Sequence, residues 1–159
     1  MNVLRTLSLL GATLTMGLVT GAFALYAHAI MPGLKTTDDR TFVAAFQAVD
    51  RAIINPWFML TGFLGALLFT GAATLLHVGH DPLPWIVVAL AAYIVVFAIT
   101  LAVNVPLNDA LKAAGSADPA AAREAFDEAR WATWNLVRVV LSVGAFVALC
   151  WALVVYDRT

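Results

Sequence analysis

Asn104, Asn108, Asn135 and Arg138, set near the ends of long apolar runs, carry the most specific chemistry in this sequence. An amide inside lipid must find a hydrogen-bond partner, and a charge at the centre of a span costs about 2.5–3.5 kcal/mol on insertion scales. Trp131, Asn135 and Arg138 recur at i, i+4 and i+7, which puts them on one helix face with Trp134 beside them. Other run ends bring Tyr26, His28, Pro32, Asn55, Pro56, Trp57, Pro106 and Asp109. Aromatic walls with a few amides and one fixed cation suit binding of a phenol or phenolate. The same residues also suit a structural role, because interfacial Trp anchors helices and embedded Asn bonds its neighbours. Spacing alone leaves both readings open. Arg138 lies about a turn inside its run, with room to snorkel, and Asp109 or Asp50 is its expected partner.

Composition says which elements must hold these groups. The chain of 159 residues is 62% hydrophobic and 12% charged, with a mean hydropathy of +0.89. Soluble domains carry about 25% charged residues, so lipid is the simpler solvent. A net charge of −1 offers no field for nucleic acid. The single cysteine, Cys150, forms no internal disulfide.

Four runs reach the roughly 20 residues that a span needs: about 6–30, 57–77, 84–103 and 135–155. Within them the only formal charge is Arg138. The first run has Arg5 before it and Ala27-His28-Ala29 near its end, as a secretory signal would. It is nevertheless longer than a signal core of roughly 7–15 residues, and it carries Gly17-x-x-x-Gly21, a helix-packing spacing. It therefore reads as a retained span. Gly144, Ala148 and Ala152 form a similar stripe on the last run. These stripes predict packing within the bundle first and a homodimer second.

Between the first two runs, about 37–54, lies an amphipathic helix capped by Thr36 or Thr37, with Asp38 and Asp39 in its first turn. Phe42, Phe46, Val49 and Ile53 make its apolar stripe, and Arg40, Gln47, Asp50 and Arg51 fall largely elsewhere. It should lie along the interface or cover the bundle end. Gly115-Ser116 breaks the third connection. Asp118 then caps an extramembrane helix, about 119–134, that continues without a breaker into the last span. Along it Arg123 attracts Asp127, while Glu124 and Glu128 repel. The expected fold is a single all-α transmembrane domain: a four-helix bundle with an interfacial helix and a protruding fourth helix.

Folding the spans up and down brings the polar ends to one membrane face. The positive-inside rule puts connections 31–56 and 104–134, with Lys35, Arg40, Arg51, Lys112, Arg123 and Arg130, on the cytoplasmic side of the cell (inner) membrane. His77-x-x-His80-Asp81 lies in the turn at the other face and reads as a structural loop rather than a metal site. The spans lack the His and Glu ligands of haem or di-iron sites, and no phosphate-binding or hydrolase motif occurs. No metal and no cofactor are therefore expected.

Met31-Pro32-Gly33-Leu34, Ile54-Asn55-Pro56-Trp57-Phe58, Asn104-Val105-Pro106-Leu107-Asn108-Asp109 and Trp131-x-x-Trp134-Asn135-x-x-Arg138 together cover nearly the whole chain in order. This pattern resembles the anthrone-oxygenase-like family of small four-span membrane proteins, many annotated only as a domain of unknown function. The resemblance implies oxidation of an anthrone to an anthraquinone by molecular oxygen, with no established cofactor. Carried over by position, Asn104, Asn108, Asn135 and Arg138 would be the polar groups of the pocket. Trp134 would be a stacking wall, with Trp131, Asn55 and Trp57 beside the substrate. His28 is the nearest candidate base, although histidine there is no part of the family pattern. The partners implied are the bilayer and a hydrophobic aromatic small molecule. The alternative is a non-catalytic membrane protein whose polar cluster joins helices or binds a lipid or quinone.

Overall fold

The computed structural model describes residues 3–114 and 117–158, and helices without any strand make up the described chain. Four helical stretches are long and apolar enough to cross a membrane: Val3–Lys35, Phe58–Leu76, Leu83–Ala113 and Pro119–Asp157. We label the first α1. The amphipathic helix Asp39–Ile53 is α2, Phe58–Leu76 is α3 and Leu83–Ala113 is α4. The last stretch divides into α5, Pro119–Phe126, and α6, Glu128–Asp157. The predicted break at Gly115-Ser116 lies outside the described residues.

α1, α3, α4 and α6 pack in a ring, each against two neighbours. Small residues face inward, with Ala12, Ala66, Ala73, Ala89, Ala145 and Ala152 fully buried. Large ones face outward, with Leu14 67%, Leu75 76% and Val140 65% exposed. In water that arrangement would waste the apolar surface. In lipid it is favoured, because close backbone approach replaces hydrophobic collapse as the packing force. The chain is a multi-pass integral membrane protein with a four-helix core.

The glycines that enforce close approach differ from those expected. A Cβ on Gly11 would lie 2.7 Å from the Phe69 ring, whereas one on Gly21 or Gly144 meets nothing within 4 Å. Gly17 does face a neighbour, Phe146, at 3.0 Å. At the end bearing the His77–Asp81 turn, Trp85 and Trp151 form an aromatic pair with ring centroids 6.2 Å apart, as an interfacial belt would. There His77 places Nδ1 on the Ala73 carbonyl of α3 at 2.8 Å, and His80 places its Nδ1 on the Val78 carbonyl of the turn at 3.0 Å.

The opposite end is roofed. α2, α5 and the C-terminal ends of α1 and α4 bury Met31, Phe42, Val43, Phe46, Leu111 and Phe126 around Trp131. The Phe46 ring lies tilted against Phe126, centroids 4.6 Å apart, and edge-on to Trp131 at 5.6 Å, contacts worth about 0.5–1.5 kcal/mol each beyond burial. Asp38, not Thr36 or Thr37, caps α2, its carboxylate accepting from the Thr41 amide at 3.0 Å. The two threonine hydroxyls donate backward to Gly33 and Leu34, closing α1 instead.

α2 also corrects its predicted faces. Val49 is 37% exposed, while Asp50 is buried beside Phe42 and Phe46. The expected unbroken entry into the last span does not occur, because Asp127 takes a left-handed φ of 49° and its side chain caps α6 at the Arg130 amide. Arg123 consequently pairs with Asp39 and Glu128, each at 3.0 Å, rather than with Asp127.

Candidate functional site

Prolines prepare the site. A proline inside a helix drives its ring into the carbonyl four residues back, and a locally wider turn relieves the clash. Pro32 and Pro106 follow π-helical turns at Tyr26–Ile30 and Thr100–Asn104, and a third, Phe58–Phe63, follows Pro56. All three lie at the roofed end of the bundle. Such turns are frequent at functional sites.

Carbonyls beside these turns are taken by side-chain donors. Asn135 Nδ2 donates to Phe23 O at 3.1 Å, the Tyr93 hydroxyl to Phe63 O at 2.8 Å, and the Thr100 hydroxyl to Val96 O at 2.8 Å. Two of the three donors come from another helix, so the widened turns are tied into the bundle. Gly65 permits the Phe58–Phe63 turn, since a Cβ there would lie 2.5 Å from the Leu60 carbonyl oxygen.

Beneath the roof these turns enclose a cavity of about 220 Å³. Its walls are Phe23, Phe46, Phe58, Met59 and Phe63, with Tyr26 and Trp131 alongside. Its polar groups are Asp50, Thr100, Asn104, Asn108, Lys112 and Arg138. Ile54 and Leu101, 61% and 55% exposed, also line it, which places its mouth on the lipid-facing flank.

Arg138 is only 5% exposed and does not snorkel. Its guanidinium donates to Asn135 Oδ1 at 2.8 Å and to the Thr100 hydroxyl at 3.2 Å, and lies 4.4 Å from the Phe23 ring centroid. Neither expected carboxylate reaches it. Asp50 instead accepts from Asn108 Nδ2 at 2.7 Å and faces Lys112 at 3.1 Å, while Asp109 pairs with Lys112 at 2.8 Å. Among the described residues Arg138 has no ion pair, and its Nε is buried without a hydrogen-bond partner. Asn104 donates to the Trp131 carbonyl at 3.3 Å and leaves Oδ1 buried and unpartnered.

The residues singled out from sequence thus separate into groups. Asn104, Asn108, Trp131 and Arg138 line the cavity, and Asn135 stands behind them holding Arg138. Trp134 is 37% exposed and outside the cavity, because it falls to one side of the face centred on Asn135 and Arg138. His28 is exposed and absent from the lining, since it follows the inward Tyr26 by two residues and so points the other way. Trp57 is 72% exposed. Asn55 serves the chain itself, accepting from the Phe58 amide at 2.9 Å and donating to Ala52 O at 2.8 Å. Asp50 and Lys112 were not among the predicted site residues. The available signal was Asp50 at i+4 from Phe46 and i+8 from Phe42, a carboxylate on an apolar stripe.

Fold and site define a class: a small helical membrane protein whose roofed, aromatic-walled cavity holds a buried guanidinium with no counter-ion among the described residues. The family model described as anthrone oxygenase matches residues 42–148, more than half of the chain. The protein belongs to the anthrone oxygenase family. No curated protein and no solved structure matches it.

Proposed function

We propose that the protein oxidises an anthrone-type or phenolic aromatic with molecular oxygen in the roofed cavity. Family membership supports this reading, and one observation carries it: a buried guanidinium facing an apolar cavity without a carboxylate beside it. An ion buried without a partner costs several kcal/mol, a cost that a bound anion offsets. An anthrone supplies that anion. Its methylene lies across the central ring from its carbonyl, and loss of a methylene proton places negative charge on the carbonyl oxygen. Arg138 would stabilise that oxygen, and the free Oδ1 of Asn104 would accept a phenolic hydroxyl.

The anion is electron-rich enough to react with oxygen directly, so the proposal invokes no cofactor. The methylene carbon gains one oxygen atom as a carbonyl, and its two hydrogens leave with the other oxygen as water. The ring carbon is oxidised, dioxygen is reduced, and no further reductant enters. Apolar walls exclude water from the intermediate. Substrate dissolved in the bilayer would enter through the mouth beside Ile54 and Leu101. The excess of basic side chains at the roofed end supports a cytoplasmic orientation of that end in a cell (inner) membrane.

Oxygen uptake by purified protein with anthrone, compared with protein-free detergent, tests the reading. One mole of oxygen consumed per mole of anthraquinone formed is expected, with loss of rate in Arg138→Ala and Asn135→Ala. Folded wild type that matches the uncatalysed rate would remove the oxygenase reading and leave a quinone- or lipid-binding protein.

A further inference from the structure

We infer that Asp50 is the base that takes the proton from the substrate methylene. This rests on the oxygenase reading and supplies the proton acceptor that reading lacks. Asp50 is the one carboxylate among the described residues that line the cavity, and it is 5% exposed. Its two oxygens are treated differently by their surroundings. Oδ1 accepts from Asn108 Nδ2 at 2.7 Å, and Asn108 Oδ1 in turn accepts from Trp131 Nε1 at 2.7 Å. The indole N–H can only donate, so it fixes which end of the Asn108 amide faces the carboxylate.

Among the described residues, Oδ2 meets no donor other than the ammonium of Lys112. Lys112 Nζ forms an ion pair with it at 3.1 Å. Oδ1 is therefore held in place, while Oδ2, faced on one side by the Lys112 ammonium, keeps a second lone-pair site that can accept a proton in the cavity. Lys112, an ammonium between two carboxylates, has no lone pair to accept with. It reaches Asp109, which is 61% exposed, so the row Asp50–Lys112–Asp109 leads from the cavity to the surface. Asp50 and Arg138 come from different helices and line one cavity, as a substrate with its methylene and carbonyl on opposite ring edges requires.

The step balances. A methylene C–H bond breaks, Asp50 takes the proton, and the electron pair passes into the ring system with its charge on the oxygen beside Arg138. The carbanion reduces oxygen and bonds to it, and Asp50 returns the proton to give a hydroperoxide. Asp50 then removes the remaining C–H proton as the O–O bond breaks. The carbonyl forms, and the departing hydroxide takes that proton to become water.

Anaerobic mixing of anthrone with the detergent-purified protein isolates the first step, because the anthrone anion is coloured and persists without oxygen. Wild type should form the anion band. Asp50→Asn keeps the acceptor for Asn108 and removes the charge, and it should bind anthrone, read by tryptophan fluorescence, yet form the anion at least about 100-fold more slowly. Asp50→Glu should recover part of the rate, which a packing role would not explain. Anion formation by Asp50→Asn at the wild-type rate overturns the inference, as does an absence of the band in wild type. A wild-type band with no oxygen consumption on admitting air leaves Asp50 as the base and removes the oxygenase reading instead. If Asp50→Asn does not fold, Asp50→Ser, which also lacks a carboxylate, takes its place: anion formation slowed about 100-fold in folded, anthrone-binding protein supports the inference, and the wild-type rate overturns it.

Discussion

Replacing Arg138 by Met separates a ligand-binding cation from a structural one. The guanidinium makes two hydrogen bonds, at 2.8 Å to Asn135 and 3.2 Å to Thr100, and its nearer ring contact is at 4.4 Å to Phe23, with a more distant one at 5.6 Å to Trp131. Bonds from a charged donor are worth about 1.5–3 kcal/mol each and a desolvated cation–π contact about 2 kcal/mol. About 5–8 kcal/mol of interaction is therefore lost. Opposing it is the penalty of holding a nearly fully buried cation without a counter-ion, itself several kcal/mol. Met is unbranched and refills the space. The two sides cancel to within about 2–3 kcal/mol, which moves Tm by no more than about 12 °C for a chain of this size. Turnover should behave differently, because removing a donor from a developing oxyanion costs about 100–1,000-fold in kcat. The assay is thermal unfolding in detergent beside oxygen uptake with anthrone on the same preparation. A Tm lower by tens of degrees would show the cation to be a helix tie, and unchanged turnover would show that it meets no anion; either result refutes the reasoning.

Gly65→Ala should prevent folding or sharply lower the yield of monodisperse protein, since its Cβ would sit 2.5 Å from a backbone oxygen that cannot yield. Gly21→Ala, opening into empty space, should leave yield unchanged unless a second copy of the chain packs there, which crosslinking in membranes would reveal. Arg123→Ala removes two ion pairs, a bond to the Thr37 carbonyl at 3.1 Å and a contact with Phe42. It should speed amide hydrogen exchange in α2 several-fold while leaving α3 and α4 unchanged. The Asp38 carboxyl is held below its usual range by the Thr41 hydroxyl and amide. Its contribution to α2 is full above the ordinary carboxylate pKa of about 3.9 and fades as pH falls through the lower folded value. Asp38→Ala should therefore abolish that part of the acid-induced loosening of α2 seen by hydrogen exchange.

How far the site was legible follows from what each residue depends on. Asn104 and Arg138 stand out because polar atoms in an apolar run are costly anywhere, whatever packs against them. Trp134 and Trp57 look equally suitable, yet a helix places aromatic rings toward lipid as readily as inward, and only the neighbouring helices select between them. The surroundings of Arg138 are hidden from the sequence for a related reason. Asp50 and Asp109 have the right charge, but both are engaged by Lys112, and no local spacing reveals a contact across 62 residues such as Asp50–Lys112. The left-handed turn at Asp127 was equally hidden, because neither glycine nor proline marks it.

The sequence by itself determined that the chain lives in a membrane, crosses it four times and gathers its polarity at one end. Those properties are sums over long windows, and hydropathy and alternating direction suffice to read them. Membership of the family was also legible, since it rests on ordered motifs. Tertiary structure alone decided that the amphipathic helix roofs the bundle, that three helices widen around a cavity, and that Arg138 enters it without a counter-ion. These depend on which side chains meet across helices far apart in the chain, where a difference of one residue in register exchanges a wall for a lipid contact.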